Sequence, residues 1–407
     1  MTTAAAPSRA RTQEHLTLVD RFSARNYAPL PVVVAHAEGC WVTDVDGKRY
    51  LDCLSAYSAL NFGHRHPAIM SAVAEQCGRL TLTSRAFQND QFGPFCEEIC
   101  RLCGMDRVLP MNSGAEGVET ALKTARKWGY KVKGVAADQA EIICCTNNFH
   151  GRTITVVSFS DDPQYRDGFG PFTPGFPLVP YGDAAALERA ITPNTVGFLV
   201  EPIQGEGGIV VPPAGYLRRC RELCTKHRVL FIADEIQTGL ARTGRMFACE
   251  HEGVKPDLLI LGKALGGGVM PVSAVLGSNE VMGVFNPGDH GSTFGGNPLS
   301  CAVARAAMRT LTGERLAERA AAMGTYFVEK MRALRSAKVR EIRGRGLLLG
   351  IEIGEEHGDA HHYCELLAER GVLCKETAKQ VLRIAPPLII DKDDLDFALE
   401  RLAEVLM

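Results

Sequence analysis

No block of like charge runs through this sequence. Its 45 lysines and arginines and its 47 aspartates and glutamates are dispersed over 407 residues and leave a formal charge of −2. That balance offers no electrostatic footprint for nucleic acid or an anionic membrane. An apolar h-region is missing near the N-terminus, and no secretory signal is expected. Residues 1–13 hold Arg9 and Arg11 without acids, but the stretch is short, interrupted by Pro7, and expected to form an irregular tail. Residues 257–277 are apolar enough to suggest a membrane span, yet Lys263 and Gly266-Gly267-Gly268 near their middle argue against one. Zinc-type pairing is lacking too. Fourteen cysteines include the adjacent Cys144-Cys145 and one CxxC, Cys100 and Cys103, without a second pair or suitably spaced histidines. Cys96, Cys100 and Cys103 fall at helical spacing and read as small apolar residues, reduced as in a cytosolic protein. His64 and His66, and the adjacent His361-His362, have no carboxylate or cysteine at ligand spacing, so no metal is expected. Internal repeats and low-complexity linkers are absent.

What is present suits a globular α/β chain. Apolar residues make up 46% and charged residues 23% of the sequence, and the length allows a large domain with a smaller one attached. Five short apolar runs, at 107–111, 141–146, 195–200, 229–233 and 258–261, read as buried parallel strands. Helical patterns such as 117–128 and 215–226 lie between them. This alternation predicts a mostly parallel, doubly wound sheet with helices on both faces. From Pro298 the texture turns to Ala/Leu/Glu/Arg-rich helices with apolar segments at 346–353 and 381–390, a smaller α+β lobe. The expected division is an N-terminal arm with a hairpin at Asp46-Gly47 (1–57), a large domain (58–297) and a C-terminal small domain (298–407).

Ligands of open α/β sheets gather at the carboxyl ends of the strands, and here each strand runs into polar residues. Ser113-Gly114-Ala115-Glu116 has capping-box spacing, and the free N–H groups of the helix it opens suit a phosphate; a capped helix without ligand is the alternative. Asp234 closes an apolar strand, where a carboxylate needs a cation. A protonated pyridine nitrogen would serve, as would an ordinary ion pair or helix cap. Lys263 ends another apolar strand. Desolvation there would yield a neutral amine able to form an imine with an aldehyde cofactor, unless the side chain merely reaches solvent.

The stretch Phe231-Ile232-Ala233-Asp234-Glu235-Ile236-Gln237, with Arg242-Thr243-Gly244-Arg245, Leu261-Gly262-Lys263-Ala264 and His290-Gly291-Ser292-Thr293-Phe294-Gly295-Gly296-Asn297-Pro298, resembles the class III aminotransferase signature. The resemblance implies a fold-type I pyridoxal 5'-phosphate enzyme acting as a homodimer with sites at the interface. It implies that Lys263 binds the cofactor aldehyde, Asp234 the ring nitrogen and Gln237 the phenolic oxygen. Phe149 and Ile236 would sandwich the ring, Ser113, Gly114 and Ala115 would hold the phosphate, and Ser292 and Thr293 would reach it from the partner subunit.

Within that class, the segments 26–31, 57–67, 81–87, 239–242 and 383–387 resemble the subgroup acting on the distal amine of ornithine. By that resemblance Arg152 binds the α-carboxylate, Tyr27 steadies the amino acid end and Tyr57 favours ornithine over simpler amines. Arg383 would take the second carboxylate of 2-oxoglutarate, with Glu206 masking it until the diacid arrives; a fixed salt bridge is the alternative. His150 departs from the pattern, since some ornithine enzymes carry tryptophan there and the N-acetylornithine subgroup carries histidine. An N-acetylornithine or other ω-amine transaminase is therefore the neighbouring expectation, and a binding protein that kept the fold without turnover the distant one.

Overall fold

The computed structural model describes residues 10–407. Three sheets organise them. The strands β1 (Val34–Glu38), β2 (Trp41–Asp44) and β3 (Arg49–Asp52) form an antiparallel meander. Its β2–β3 turn passes through Gly47 at φ 91°, as the expected hairpin requires. Seven strands build the central sheet: β4 (Arg107–Met111), β5 (Glu141–Cys145), β6 (Leu178–Val179), β7 (Thr195–Val200), β8 (Leu230–Asp234), β9 (Leu258–Leu261) and β10 (Ser273–Gly277). Their order is β4-β10-β9-β8-β7-β5-β6. The C-terminal segment adds β11 (Val339–Arg345), β12 (Leu348–Ile353), β13 (Val372–Leu373), β14 (Lys375–Thr377) and β15 (Val381–Ile384). Of these, β11-β12-β15-β14 make an antiparallel sheet, while β13 pairs in parallel with β3. The N-terminal hairpin is thereby joined to the C-terminal segment.

The five expected strands are all present and run parallel. The central sheet gains β6 and the antiparallel β10, which pairs with both β4 and β9. The run at 257–277 is therefore a strand, a connection that begins with a short helical turn at Lys263–Gly266, and a returning strand. No helix among the described residues is long and apolar enough to cross a membrane.

Side chains alternate across a strand, and two cores result. Phe198, Phe231 and Leu259 pack on the face with Leu217 and Leu223 of the helix Tyr216–His227. Leu199, Ile232 and Ile260 pack on the other face with Val118 and Leu122 of the helix Gly114–Trp128. The doubly wound expectation is met. In place of the irregular tail at 1–13, the chain is helical over Ala10–Phe22, where Thr12 Oγ1 donates to Asp46 Oδ2 at 2.6 Å. The remaining residues of that expectation, 1–9, lie outside the described ones.

Candidate active site

A cavity of about 250 Å³ opens at the carboxyl ends of the parallel strands. Gly114 and Ala115, Phe149, Asp234, Ile236, Gln237 and Lys263 line it, so residues from four strand ends meet as the rim argument predicts. Ser113 caps the helix Gly114–Trp128 in a complete capping box with Glu116. The side-chain bonds satisfy the Ser113 and Glu116 amides, leaving the first-turn N–H groups of Gly114 and Ala115 directed toward an incoming anion.

Asp234 ends the fully buried β8 and is itself buried. Nδ1 of His150 donates to its Oδ2 at 2.7 Å, and the Ile236 amide donates to its Oδ1 at 3.1 Å. Burial alone would lower the His150 pKa, but the hydrogen bond and charge of Asp234 raise it. Glu201, at the end of β7, accepts from the Phe149 amide at 2.8 Å. Burial, reinforced by the nearby carboxylates Asp234 and Glu206, pushes its pKa up to about 7 against the opposition of His150.

Lys263 adopts φ 45° in the turn after β9. Its pKa is lowered by burial, which outweighs the attraction of Asp234, Glu206 and Glu201. No hydrogen bond or ion pair to its amine occurs among the described residues, and burial favours the neutral form of the amine that faces the cavity. Gln237 Nε2 donates to Glu206 Oε1 at 3.3 Å. This contact depends on Gly205, since a Cβ there would stand 1.4 Å from the Gln237 amide oxygen.

Beyond the cavity the substrate candidates divide. Arg383 of β15 is fully buried and ion-paired through Nη1 with Glu206. Burial would raise the Glu206 pKa, but Arg383 more than reverses that and lowers it. Arg383 also stacks 4.7 Å from the Tyr57 ring. Tyr57 rides on Ser55–Ser58, four consecutive non-glycine residues at φ 51°, 46°, 60° and 71°. Asp52 holds that turn, its Oδ1 accepting from Leu54 N at 2.9 Å and Ser55 N at 2.8 Å while its Oδ2 bonds His64 Nε2 at 2.9 Å. Arg152 is exposed, its guanidinium 3.7 Å from the Tyr165 ring centroid and 5.5 Å from that of Phe149.

Tyr27 is 77% exposed, near enough to Tyr57 to influence its phenol. Ser292 and Thr293 do not line their own chain's cavity. Ser292 Oγ accepts from Asn112 Nδ2 at 2.9 Å and Gly295 N at 3.1 Å, and Thr293 is exposed. Sequence reasoning placed Glu201 on the rim of polar strand ends without giving it a role, and overlooked Tyr165 and the Asp52–His64 pair. Of these only Glu201 gave a signal, as a carboxylate closing an apolar strand. Among the described residues no group of three or more His, Cys, Asp or Glu is placed to hold a metal.

Comparison with known proteins shows the family. The family Aminotransferase class-III matches residues 22–406. The chain is 56% identical over 395 residues to an ornithine aminotransferase of Geobacillus sp. (strain WCH70), covering 97% of this chain and 98% of that protein. It superposes with a TM-score of 0.96 and 46% identity on an ornithine aminotransferase from Toxoplasma gondii, reported with partial occupancy of PLP at its active site, covering 100% of this chain and 98% of that one. An acetylornithine aminotransferase structure from Elizabethkingia anophelis matches with a TM-score of 0.88 and 47% identity, covering 97% and 98%. The chain belongs to the class-III aminotransferases, enzymes that work with pyridoxal 5'-phosphate.

Proposed function

We propose that the protein moves the δ-amino group of L-ornithine to 2-oxoglutarate in two half-reactions. The products are glutamate 5-semialdehyde, which cyclises to pyrroline-5-carboxylate, and glutamate. The observation that carries this reading is the pairing of one arginine, Arg383, with Glu206 while a second, Arg152, stays uncovered. The names borne by the Geobacillus and Toxoplasma relatives support it.

The donor set fits the cofactor. The Gly114 and Ala115 amides suit a phosphate, the buried Asp234 a ring nitrogen, and the unpaired Lys263 amine an aldehyde. Bound there, pyridoxal phosphate supplies the carbonyl that accepts an amine and a ring that withdraws electrons. Asp234 keeps a proton on that ring nitrogen, and His150 orients the carboxylate. Phe149 and Ile236 would hold the ring, and Gln237 would donate to its phenolic oxygen. Ser113 fixes the phosphate loop through its cap. Lys263, whose amine burial pushes toward the neutral form, would hold the aldehyde of the cofactor and could then serve as the acid and base that moves a proton.

Two cations sort the substrates. Arg152 grips the α-carboxylate of ornithine through its paired N–H groups, with Tyr27 and Tyr57 steadying the amino acid end, so only the distal amine reaches Lys263. Glu206 covers Arg383 in this half and releases it to the second carboxylate of 2-oxoglutarate in the next. Ser292 and Thr293 complete the phosphate site of the partner subunit in a homodimer. Exposed Phe87 and Phe294, the latter beside Thr293, support such an interface. The enzyme is assigned to the cytoplasm.

A donor panel with 2-oxoglutarate tests this reading. Ornithine is expected to give the highest kcat/KM, ahead of N-acetylornithine and 4-aminobutyrate, and to shift the absorbance of the holoenzyme. A preference for either rival donor overturns the substrate, and no shift with any donor overturns turnover itself.

A further inference from the structure

The uncovered arginine poses a physical problem. A long cationic side chain with no anion beside it samples many rotamers, and freezing it at binding would cost affinity. Yet an acidic partner would occupy the N–H groups that a substrate carboxylate needs. The structure answers with a ring. Arg152 lies 3.7 Å from the centroid of Tyr165 and has no carboxylate partner among the described residues.

A guanidinium offers its flat face to an aromatic ring and its edge to a carboxylate. Stacking therefore orients Arg152 and, although one N–H reaches the Tyr165 phenol, leaves other donors at its edge for a carboxylate. Tyr165 is itself fixed well enough to serve as such a support. Its ring meets Phe149 edge-on at 5.9 Å. The short helix that carries it, Pro163–Arg166, is capped by Asp162, which accepts from Gln164 N at 2.8 Å. Arg166 pins the same turn through Nη1 to the carbonyls of Ser158 at 2.6 Å and Ser160 at 3.0 Å.

We propose that Tyr165 is a specificity-determining positioning residue, an aromatic platform that holds Arg152 ready for the carboxylate of an α-amino acid whose reacting amine lies at its far end. The inference rests on the reading of Arg152 given above. Because Tyr165 packs on Phe149 and Phe149 lines the cofactor cavity, the platform also sets the distance between carboxylate and reacting amine. It works as a ruler for chain length as well as a support.

The test compares ornithine with 1,4-diaminobutane, which has the same distal amine and no carboxylate, in holoenzyme carrying Tyr165→Leu or Tyr165→Phe. In Y165L the KM for ornithine is expected to rise about tenfold with kcat within about twofold, while kcat/KM for the diamine stays unchanged. Y165F keeps the ring and restores the ornithine KM. Equal losses with both donors, an unchanged ornithine KM in Y165L, or no rescue by phenylalanine would each overturn the proposal. If Y165L does not fold, Tyr165→His and Tyr165→Gln carry the same contrast of flat ring against none. Wild-type enzyme that ignores ornithine would remove the substrate reading and the platform together, whereas wild-type preference with a silent Y165L removes the platform alone.

Discussion

Arg383 and Arg152 flank one cavity under different rules. Arg383 is fully buried, its Nη1 taken by Glu206 and its face turned to Tyr57. Arg152 is exposed and lies on Tyr165, with no carboxylate partner among the described residues. A guanidinium taken out of water needs compensating partners, because burying it unsatisfied costs several kcal/mol; neutral acceptors serve Arg242, whereas Arg383 has the carboxylate of Glu206. That requirement makes the buried site switchable, since whatever moves the carboxylate changes what the arginine can bind. Solvent already supports the exposed guanidinium, which lacks only orientation, and an aromatic face supplies that. The two halves of substrate selection thus follow from depth alone.

The largest difference should appear in stability. Arg383→Ala removes a fully buried side chain and leaves the half-buried Glu206 with only the Gln237 amide as partner, and is expected to lower the unfolding free energy of the holoenzyme by about 2–4 kcal/mol. Arg152→Ala should lower it by no more than about 1 kcal/mol. Urea unfolding measures both, and similar losses would break the comparison.

A smaller effect sharpens it from the acid side. Glu206→Gln weakens the cover on Arg383, so donors with a carboxylate beside the reacting amine, such as L-glutamate, should gain about tenfold over ornithine in kcat/KM. Steady-state rates with the two donors decide, and an unchanged ratio means the pair is a fixed structural bridge.

A pH-dependent effect lies behind Phe149. Glu201 has its pKa raised by burial from 4.5 to about 7. Its contribution to stability is complete below the unfolded value and is lost as pH rises through the folded one. Glu201→Gln cannot ionise, so its melting temperature should improve relative to wild type between pH 5 and pH 8. A difference that stays constant across that range would show that Glu201 does not titrate there.

Legibility followed the distance over which each feature is encoded. Strands β7, β8 and β9 could be read because both of their faces are buried and their runs are continuously apolar. Strand β6 has only two residues, and β10 was merged with its neighbour into one apolar stretch. Asp234 and Lys263 stood out as charges ending apolar strands. The meeting of Glu206 with Arg383 joins residues far apart in the chain, and only the family resemblance anticipated it. Tyr165 gave no signal, since a single tyrosine in a one-turn helix has no pattern. The turn at Ser55–Ser58 was hidden because none of its four left-handed residues is the glycine that usually marks one.

That turn bears on how such an enzyme changes over generations. Left-handed backbone costs about 1–2 kcal/mol per ordinary residue, so Ser55–Ser58 holds its shape through its surroundings: Asp52, which accepts from Leu54 N and Ser55 N, and His64, which bonds the other oxygen of that carboxylate. Tyr57 goes where these neighbours send it. Donor range can therefore drift, or be evolved in the laboratory, through scaffold positions that never touch a substrate, while the rim that carries Asp234 and Lys263 is left as it is.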